Sequence, residues 1–470
     1  MDHKEPIASP SSPSAPPATG PAAGGDQTDT VSRRSLLATS AKVAAGLAAG
    51  GTVLGGAPAV FAERDRMRSI GVLRKPSVTL NFTFFGNVGE GGTWEQLAKM
   101  FHAQNPNITV KVVPVPATAW SEYFQKVLTM IAGGNSPDIC RIATEGAQLF
   151  AAKNLALPLD DFIKRDSAVM EDYFKDVSSK LTNTFKSNGK TLALPFEWND
   201  WMITYNTKLF KAAGIAKPGP KWTGGDFLSA AKKLTKNGVY GYNVPAPNTF
   251  DISGWLTAAG GGLLNKNWTK SNATAPANIK AMQFVQDLVW KDKVAPRPGS
   301  PDFPLLEAGR VGMITAGRWA VNTFILAKFS DYDVQLAPML GPGRATTFGV
   351  GAHPILKNAR HPEEAWTFLK YLSTRPAMAY TTKNGYSNPS RRSVANDRSL
   401  MAPVNNPGEN WHAYYDALDS AESLPAPAQF NEMESALIAA YTKMIANETT
   451  PAQMLQSLDS QINTILAKPV

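Results

Sequence analysis

The stretch Leu194–Phe210, LPFEWNDWMITYNTKLF, decides how the rest of the chain is read. Between Pro195 and Trp201 it carries two acids, Glu197 and Asp200, and two tryptophans, Trp198 and Trp201. It then turns apolar and β-prone at Met202, Ile203 and Tyr205, and reaches Asn206 and Thr207 before a short helix-like run, Lys208–Ala213. A segment that starts with charged and aromatic residues and then enters apolar surroundings suits a strand leaving a cleft. Indole faces cover the C–H side of a sugar ring, and carboxylates accept hydrogen bonds from its hydroxyls, so this mixture suits a polyhydroxylated ligand. The same residues also suit a core strand flanked by a surface loop, and the stretch alone does not separate the two readings.

Upstream, Val78–Phe84 alternates, with Val78, Leu80, Phe82 and Phe84 on one side, and predicts a strand. A glycine-rich loop follows at Phe85–Thr93; no Lys-Ser/Thr pair comes after it, so it is a weak phosphate cradle. Thr93 is expected as the N-cap of a helix, with Gln96 completing a capping box. Trp94 then sits at the carboxyl end of the first strand, where open α/β folds bind ligands, or else it staples the helix to the core. Ile108–Val113 predicts a second strand, and Ser121 is expected to cap a helix with Phe124, Val127, Leu128 and Ile131 on one face. A third strand opens at Ser136-Pro137-Asp138-Ile139 and ends near Thr144 and Glu145. Strand and helix alternating at this spacing predict a parallel α/β sheet.

Downstream, Asp226 begins a helix, Asp251–Leu264 is an apolar helix with Trp255 near its start, and Asn278–Trp290 is amphipathic. Phe348–Ile355 is a strand with Gly349 and Gly351, which allow bending or close backbone approach. Two helices, Met433–Ile445 and Ala452–Leu466, close the chain.

At 470 residues the chain is long enough for two large lobes and a leader. Its net charge of +9 is scattered, without a dense Lys/Arg run, which argues against nucleic acid as a partner. One cysteine, Cys140, excludes an internal disulfide framework, and five dispersed histidines make a zinc centre improbable, so no cofactor or metal is expected. Residues 1–62 read as a leader. A Pro/Ala/Ser/Gly-rich run precedes Ser32-Arg33-Arg34-Ser35-Leu36-Leu37 and a mildly apolar stretch, the pattern of a twin-arginine export signal, with cleavage expected near Ala59 or Ala62. The alternative is an N-terminal membrane anchor. The mature protein is expected to be periplasmic and monomeric.

Taken in order, several marks resemble the extracellular solute-binding proteins of ABC importers, of the sugar- and oligosaccharide-carrying, maltose-binding-protein-like type. They are Ala132–Ile139 (AGGNSPDI), Leu194-Pro195, Tyr205–Phe210, Ala213-Gly214-Ile215, Trp222-Thr223 with Asp226, Tyr240-Gly241, Glu307–Met313, Trp319 and Thr449–Leu455. The resemblance runs from about residue 77 to 467. It implies an α/β fold of two lobes, each a mostly parallel sheet with flanking helices, joined by three hinge crossings near Phe196–Ile203, Phe348–His353 and Lys383–Asn388. The lobes would be 77–197 plus 349–385, and 203–345 plus 388–470. It implies a sugar caught by lobe closure and passed to the membrane subunits of a permease, with no chemical step. The implied ligand-binding residues are Asn87, Trp94, Glu145, Glu197, Trp198, Asp200, Trp255 and Trp319, with Arg391 fitting an acidic sugar and Gly349 and Gly351 as hinge residues. Some of these aromatics and acids are expected to be core instead; Trp319 matches a sugar-stacking position best.

Two rivals stand beside this reading. An exported polysaccharide-acting enzyme could use Glu197 and Asp200 as an acid/base pair, although three residues apart in a strand they point to opposite faces. A binder of a non-sugar solute, such as glycerol phosphate or a polyamine, would need arginine or a helix N-terminus, or several acids.

Overall fold

A computed structural model describes residues 76–86, 88–342 and 345–470. The expected leader, its cleavage positions and Asn87 lie outside the described residues. Three strands, β1 (Val78–Phe85), β2 (Ile108–Val115) and β3 (Ile139–Cys140), pair in parallel in the order β2-β1-β3. The even-numbered side chains of β1 are buried, as the alternation of Val78, Leu80, Phe82 and Phe84 requires. After β4 (Ile142–Ala143) the sheet meets a reversed strand, β11 (Thr346–His353), which pairs antiparallel with both β4 and β7 (Leu194–Asp200). Two short strands, β5 (Lys186–Ser187) and β6 (Lys190–Thr191), make a hairpin before β7. The strand β12 (Asn388–Pro389) pairs antiparallel with β7, and β13 (Ala421–Ser423) pairs in parallel with β11.

The second sheet repeats this plan. β8 (Met202–Asn206) lies between β9 (Met313–Thr315) and β10 (Tyr332–Leu336) and opposes both, so β9 and β10 share one direction. Tyr240 bridges in parallel to Val311 beyond β9, which extends that direction. In the first half β1, β2 and β3 run parallel while β11 opposes β4 and β7; in the second half β8 opposes both of its neighbours.

Two large hydrophobic cores lie on these sheets. Leu194, Phe196 and Trp198 enter the first, and Trp201, Ile203 and Tyr205 enter the second. The opening stretch of the sequence is thus the crossing between the halves, with only Trp201 between β7 and β8. Trp201 is pinned there: its N–H donates to the Thr347 carbonyl at 3.0 Å, and its carbonyl accepts from the Thr346 hydroxyl at 2.7 Å.

Two local expectations change. The first helix runs from Val88 to Gln104, so Thr93 is inside it and caps nothing. The next helix, Trp120–Ala132, has Ala119 at its N-cap with no side-chain bond. Its Ser121 N–H instead donates to Glu434 Oε2 at 3.2 Å, from the distant helix Phe430–Ile445. Around the expected third crossing, Lys383–Asn388, the chain touches both halves: Tyr386 packs in the first core, while the carbonyls of Gly385 and Ser387 accept from the Asn322 N–H and the Arg318 guanidinium at 3.0 Å each. Beyond it, Val394 belongs to the first core and Leu400 packs on it, whereas the Met401 carbonyl accepts from Arg318 at 2.9 Å, Asn406 Nδ2 donates to the Tyr332 carbonyl at 2.6 Å, and the Asn410 N–H donates to Asp333 at 2.7 Å. The chain reaches the second core at Leu424.

Candidate functional site

Strand alternation sorts the acidic and aromatic residues of β7 into two sets. Trp198 and Asp200 point away with the first-core side chains. Trp198 is fully buried against Tyr415, and Asp200 accepts from Asn388 Nδ2 at 3.2 Å. Complete burial pushes the Asp200 carboxyl well above the usual carboxylate range. Glu197 and Asn199 point the other way. Glu197 Oε1 accepts from Arg141 Nε at 2.6 Å, and a second guanidinium nitrogen of Arg141 also contacts it. Gly351 lies opposite Glu197, and a Cβ there would come within 2.5 Å of Oε1, so only glycine lets this carboxylate lie across the strand.

Arg141 stands between the two short strands β3 and β4. Its guanidinium carbon lies 5.3 Å from the centre of the Trp120 ring and 5.5 Å from that of Tyr386, within cation–π range. The Trp120 ring stacks on Phe85, at the end of β1, at 4.6 Å. Next to Tyr386, the Ser387 hydroxyl accepts from Asn199 Nδ2 at 3.2 Å. The Asn199 Oδ1 is buried with no hydrogen-bond partner among the described residues. Asn199 is paired with Gly349, above which Phe250 sits: a Cβ on Gly349 would be 3.6 Å from Phe250 Cε2. Phe250 packs edge-on to Trp319 at 5.7 Å. The result is a continuous group in which Phe85, Trp120 and Arg141 from the first half lead through Tyr386, Ser387 and Asn199 to Phe250 and Trp319 from the second. Trp120, Phe250 and Trp319 are each only partly buried. Half-buried rings beside amide and guanidinium donors can hold a ring-shaped polar molecule by stacking and hydrogen bonding together.

Glu145 opens the helix Thr144–Ala152 at the boundary of the halves, 5% exposed, with Oε2 unpartnered. Burial, reinforced by the Glu434 carboxylate, raises its carboxyl to about 8. Glu434 itself joins the halves, since its other oxygen accepts from the Thr249 hydroxyl at 2.9 Å while the first takes the Ser121 N–H.

Of the residues singled out in the sequence, Glu197 and Trp319 fall in this group and Glu145 lies at the boundary of the halves. The others do not. Trp94 is fully buried among Phe82, Phe196 and His353, and its Nε1 donates to the Tyr386 hydroxyl at 3.0 Å. It is the core staple rather than a cleft wall, because its strand-end position is roofed by Tyr386. Trp255 is enclosed by Trp201, Phe227, Tyr242 and Phe284 in the second core. Arg391 is 5% exposed and donates to the Ser373 carbonyl, Asp172 and Asp176, so two carboxylates already answer its charge. Trp120, Arg141, Asn199 and Phe250 escaped the sequence reading. Arg141 alone left a signal: a single arginine inside the apolar run Ile139–Ala143.

Among the described residues no group of three or more His, Cys, Asp or Glu could hold a metal ion. Glu197 and Asp200, on opposite faces of β7, share no common target.

Comparison with known proteins follows the same lines. A family model described as bacterial extracellular solute-binding protein matches residues 86–379. A putative binding protein of Brucella abortus is 28% identical over 314 residues, covering 63% of this chain and 71% of that one. An arabinooligosaccharide-binding protein of Bacillus subtilis is 23% identical over 289 residues, 59% of this chain and 65% of that protein. Among solved structures, an ABC substrate-binding protein from Listeria monocytogenes in complex with cycloalternan superposes with a TM-score of 0.74 at 25% identity, over 83% of this chain and 98% of that one.

Proposed function

Because the chain belongs to the bacterial extracellular solute-binding protein family, we propose that it captures a sugar or oligosaccharide between its two halves and delivers it to the membrane subunits of an ABC importer. The observation that carries this reading is the half-buried aromatic set Trp120, Phe250 and Trp319, in one chain of contacts with Asn199, whose amide oxygen is unpartnered among the described residues. Trp319 and Phe250 would cover the apolar face of a sugar ring, Asn199 and Ser387 would take its hydroxyls, and the Arg141–Glu197 pair would offer a donor and an acceptor side by side. The oligosaccharides named for the Bacillus and Listeria relatives support the ligand class. The only basic group in the set, Arg141, is already paired with Glu197, which favours a neutral ligand over a phosphorylated one.

The reading extends to assembly and location. The halves would comprise 77–197 with 349–385, and 203–345 with 388–470, around crossings that open and close. The protein would work as a monomer in the periplasm, exported by the twin-arginine route and cut near Ala59 or Ala62. It would bind without turnover: Glu197 and Asp200, the acid pair a hydrolase would need, sit on opposite faces of β7. Thermal-shift measurement against a panel of neutral sugars tests the central claim. A ligand at 100 times its Kd adds about 2.7 kcal/mol to the folded state. A melt that no sugar moves, but that glycerol phosphate or a polyamine raises, would replace this reading.

A further inference from the structure

A second cavity of about 680 Å³ lies where the two halves meet, and it shares no residue with the group around Asn199. Its first-half wall is the outer part of the helix Thr144–Ala152, including Gln148 and Ala151, with Ser187 and Asn188 of the β5–β6 hairpin. Its second-half wall is Trp268 with its neighbours and Gln429. None of the lining side chains is charged: amides, hydroxyls, one indole and small or aliphatic groups face the space. Cavities of roughly 300–1,000 Å³ are the size that holds small organic ligands.

Trp268 is presented in an unusual way. It has a φ of 58°, in the left-handed region, where a bulky residue costs about 1–2 kcal/mol. The turn that holds it is closed by Asn265, whose N–H donates to the Lys270 carbonyl at 2.9 Å and whose Oδ1 accepts from the N–H groups of Thr269 and Lys270 at 2.8 and 3.1 Å. Trp268 N–H returns to the Asn265 carbonyl at 2.9 Å. A glycine or asparagine would satisfy that backbone at lower cost, yet a large ring is held there, partly exposed, beside a neutral polar wall. Backbone strain retained under a half-exposed indole points to use of the ring rather than to packing alone.

We propose that this cavity is a second binding site, for a neutral polyhydroxylated molecule such as a short oligosaccharide, with Trp268 stacking on a ring and Gln148, Asn188, Asn267 and Gln429 taking hydroxyls. A molecule there touches both halves, so its occupancy responds to their relative arrangement. The inference rests on this lining and not on the site at Asn199, and the two fail separately.

The test uses full-length mature protein labelled with 5-fluorotryptophan, the Trp268 resonance being assigned by its absence in Trp268→Phe. Maltotriose, cellotriose and xylotriose are the probes. At least one is expected to move the Trp268 resonance in the wild type and equally in Trp319→Ala, and to leave it in place in Ala151→Glu, which sets a carboxylate in the cavity. The other ten tryptophan resonances of Ala151→Glu report whether it folds; if it does not, the exposed Ala152→Asp replaces it. A Trp268 resonance that none of the three probes moves overturns the proposal. So does a movement that disappears in Trp319→Ala, which would mean the ring senses events at Asn199, and so does one that persists in the folded blocking variant.

Discussion

Arg318 and Ser387 lie in opposite halves, and the guanidinium of the first donates to the backbone carbonyl of the second at 3.0 Å. The same fully buried side chain donates to the carbonyls of Thr382 at 3.0 Å and Met401 at 2.9 Å. Three carbonyls that pair with one planar donor set need that geometry, which an ammonium lacks. Ser387 also accepts from Asn199 through its hydroxyl, so this latch ends on a residue of the candidate site itself.

Arg318→Met is therefore expected to destabilise strongly. Each buried carbonyl left without a donor costs about 1–3 kcal/mol, so a loss of about 3 kcal/mol or more is expected in urea unfolding. Arg318→Lys should recover only part of it. A midpoint unchanged in both variants would show that the carbonyls find other donors.

Two tryptophans separate packing from binding. Trp255→Ala empties a site that is 1% exposed, and a loss of about 3–5 kcal/mol is expected in the unliganded protein. Trp319→Ala removes a partly exposed ring, and the sugar-induced rise in melting temperature should vanish while the unliganded melt stays nearly unchanged. A large fall in the unliganded melt of Trp319→Ala would make that ring structural.

The two glycines of β11 should behave differently. At Gly349 an added methyl meets Phe250 at an ordinary 3.6 Å, so Gly349→Ala is expected to fold and melt like the parent. At Gly351 it would collide with the Glu197 side chain, at 2.5 Å from Oε1 and 2.7 Å from Cγ. Gly351→Ala should displace the carboxylate from Arg141 and weaken sugar binding at least tenfold by calorimetry, about 1.4 kcal/mol. Equal affinities for both alanine variants would remove Glu197 from the site.

Glu145 gives the pH dependence. Its carboxyl is raised to about 8 in the folded chain against an ordinary 4.5. The folded form then holds a proton that the unfolded form releases, so its contribution to stability is complete below about pH 4.5 and is lost as pH rises through 8. Glu145→Gln cannot titrate, so its stability should fall less than the parent's between pH 5 and roughly pH 8. Parallel pH profiles for the two proteins would show that Glu145 is ionised in the folded state.

Much of the fold was legible because burial leaves a period in the sequence. The alternation of β1 is a local device and forms in place; the helix expected from Asp226 begins two residues earlier, at Gly224, where Thr223 and Asp226 close a capping box. Where the cap was supplied from far away, as Glu434 supplies Ser121, nothing within the segment could announce it. The site was harder for the same reason. An aromatic residue reads alike whether it fills a core or lines a cleft, so Trp94, Trp198 and Trp255 looked like candidates and are interior. Asn199 and Phe250 looked ordinary; only the pairing of β7 with β11 brings them together.

The crossing itself keeps count. Even-numbered Leu194, Phe196 and Trp198 serve one interior and odd-numbered Trp201, Ile203 and Tyr205 the other, with the switch at the pinned peptide between Asp200 and Trp201. Adding or deleting one residue in this stretch would invert every side chain on one side of the change. Surface turns can drift in length, but this joint cannot, and a chimera spliced here would survive only if the number of residues from Leu194 to Tyr205 were kept.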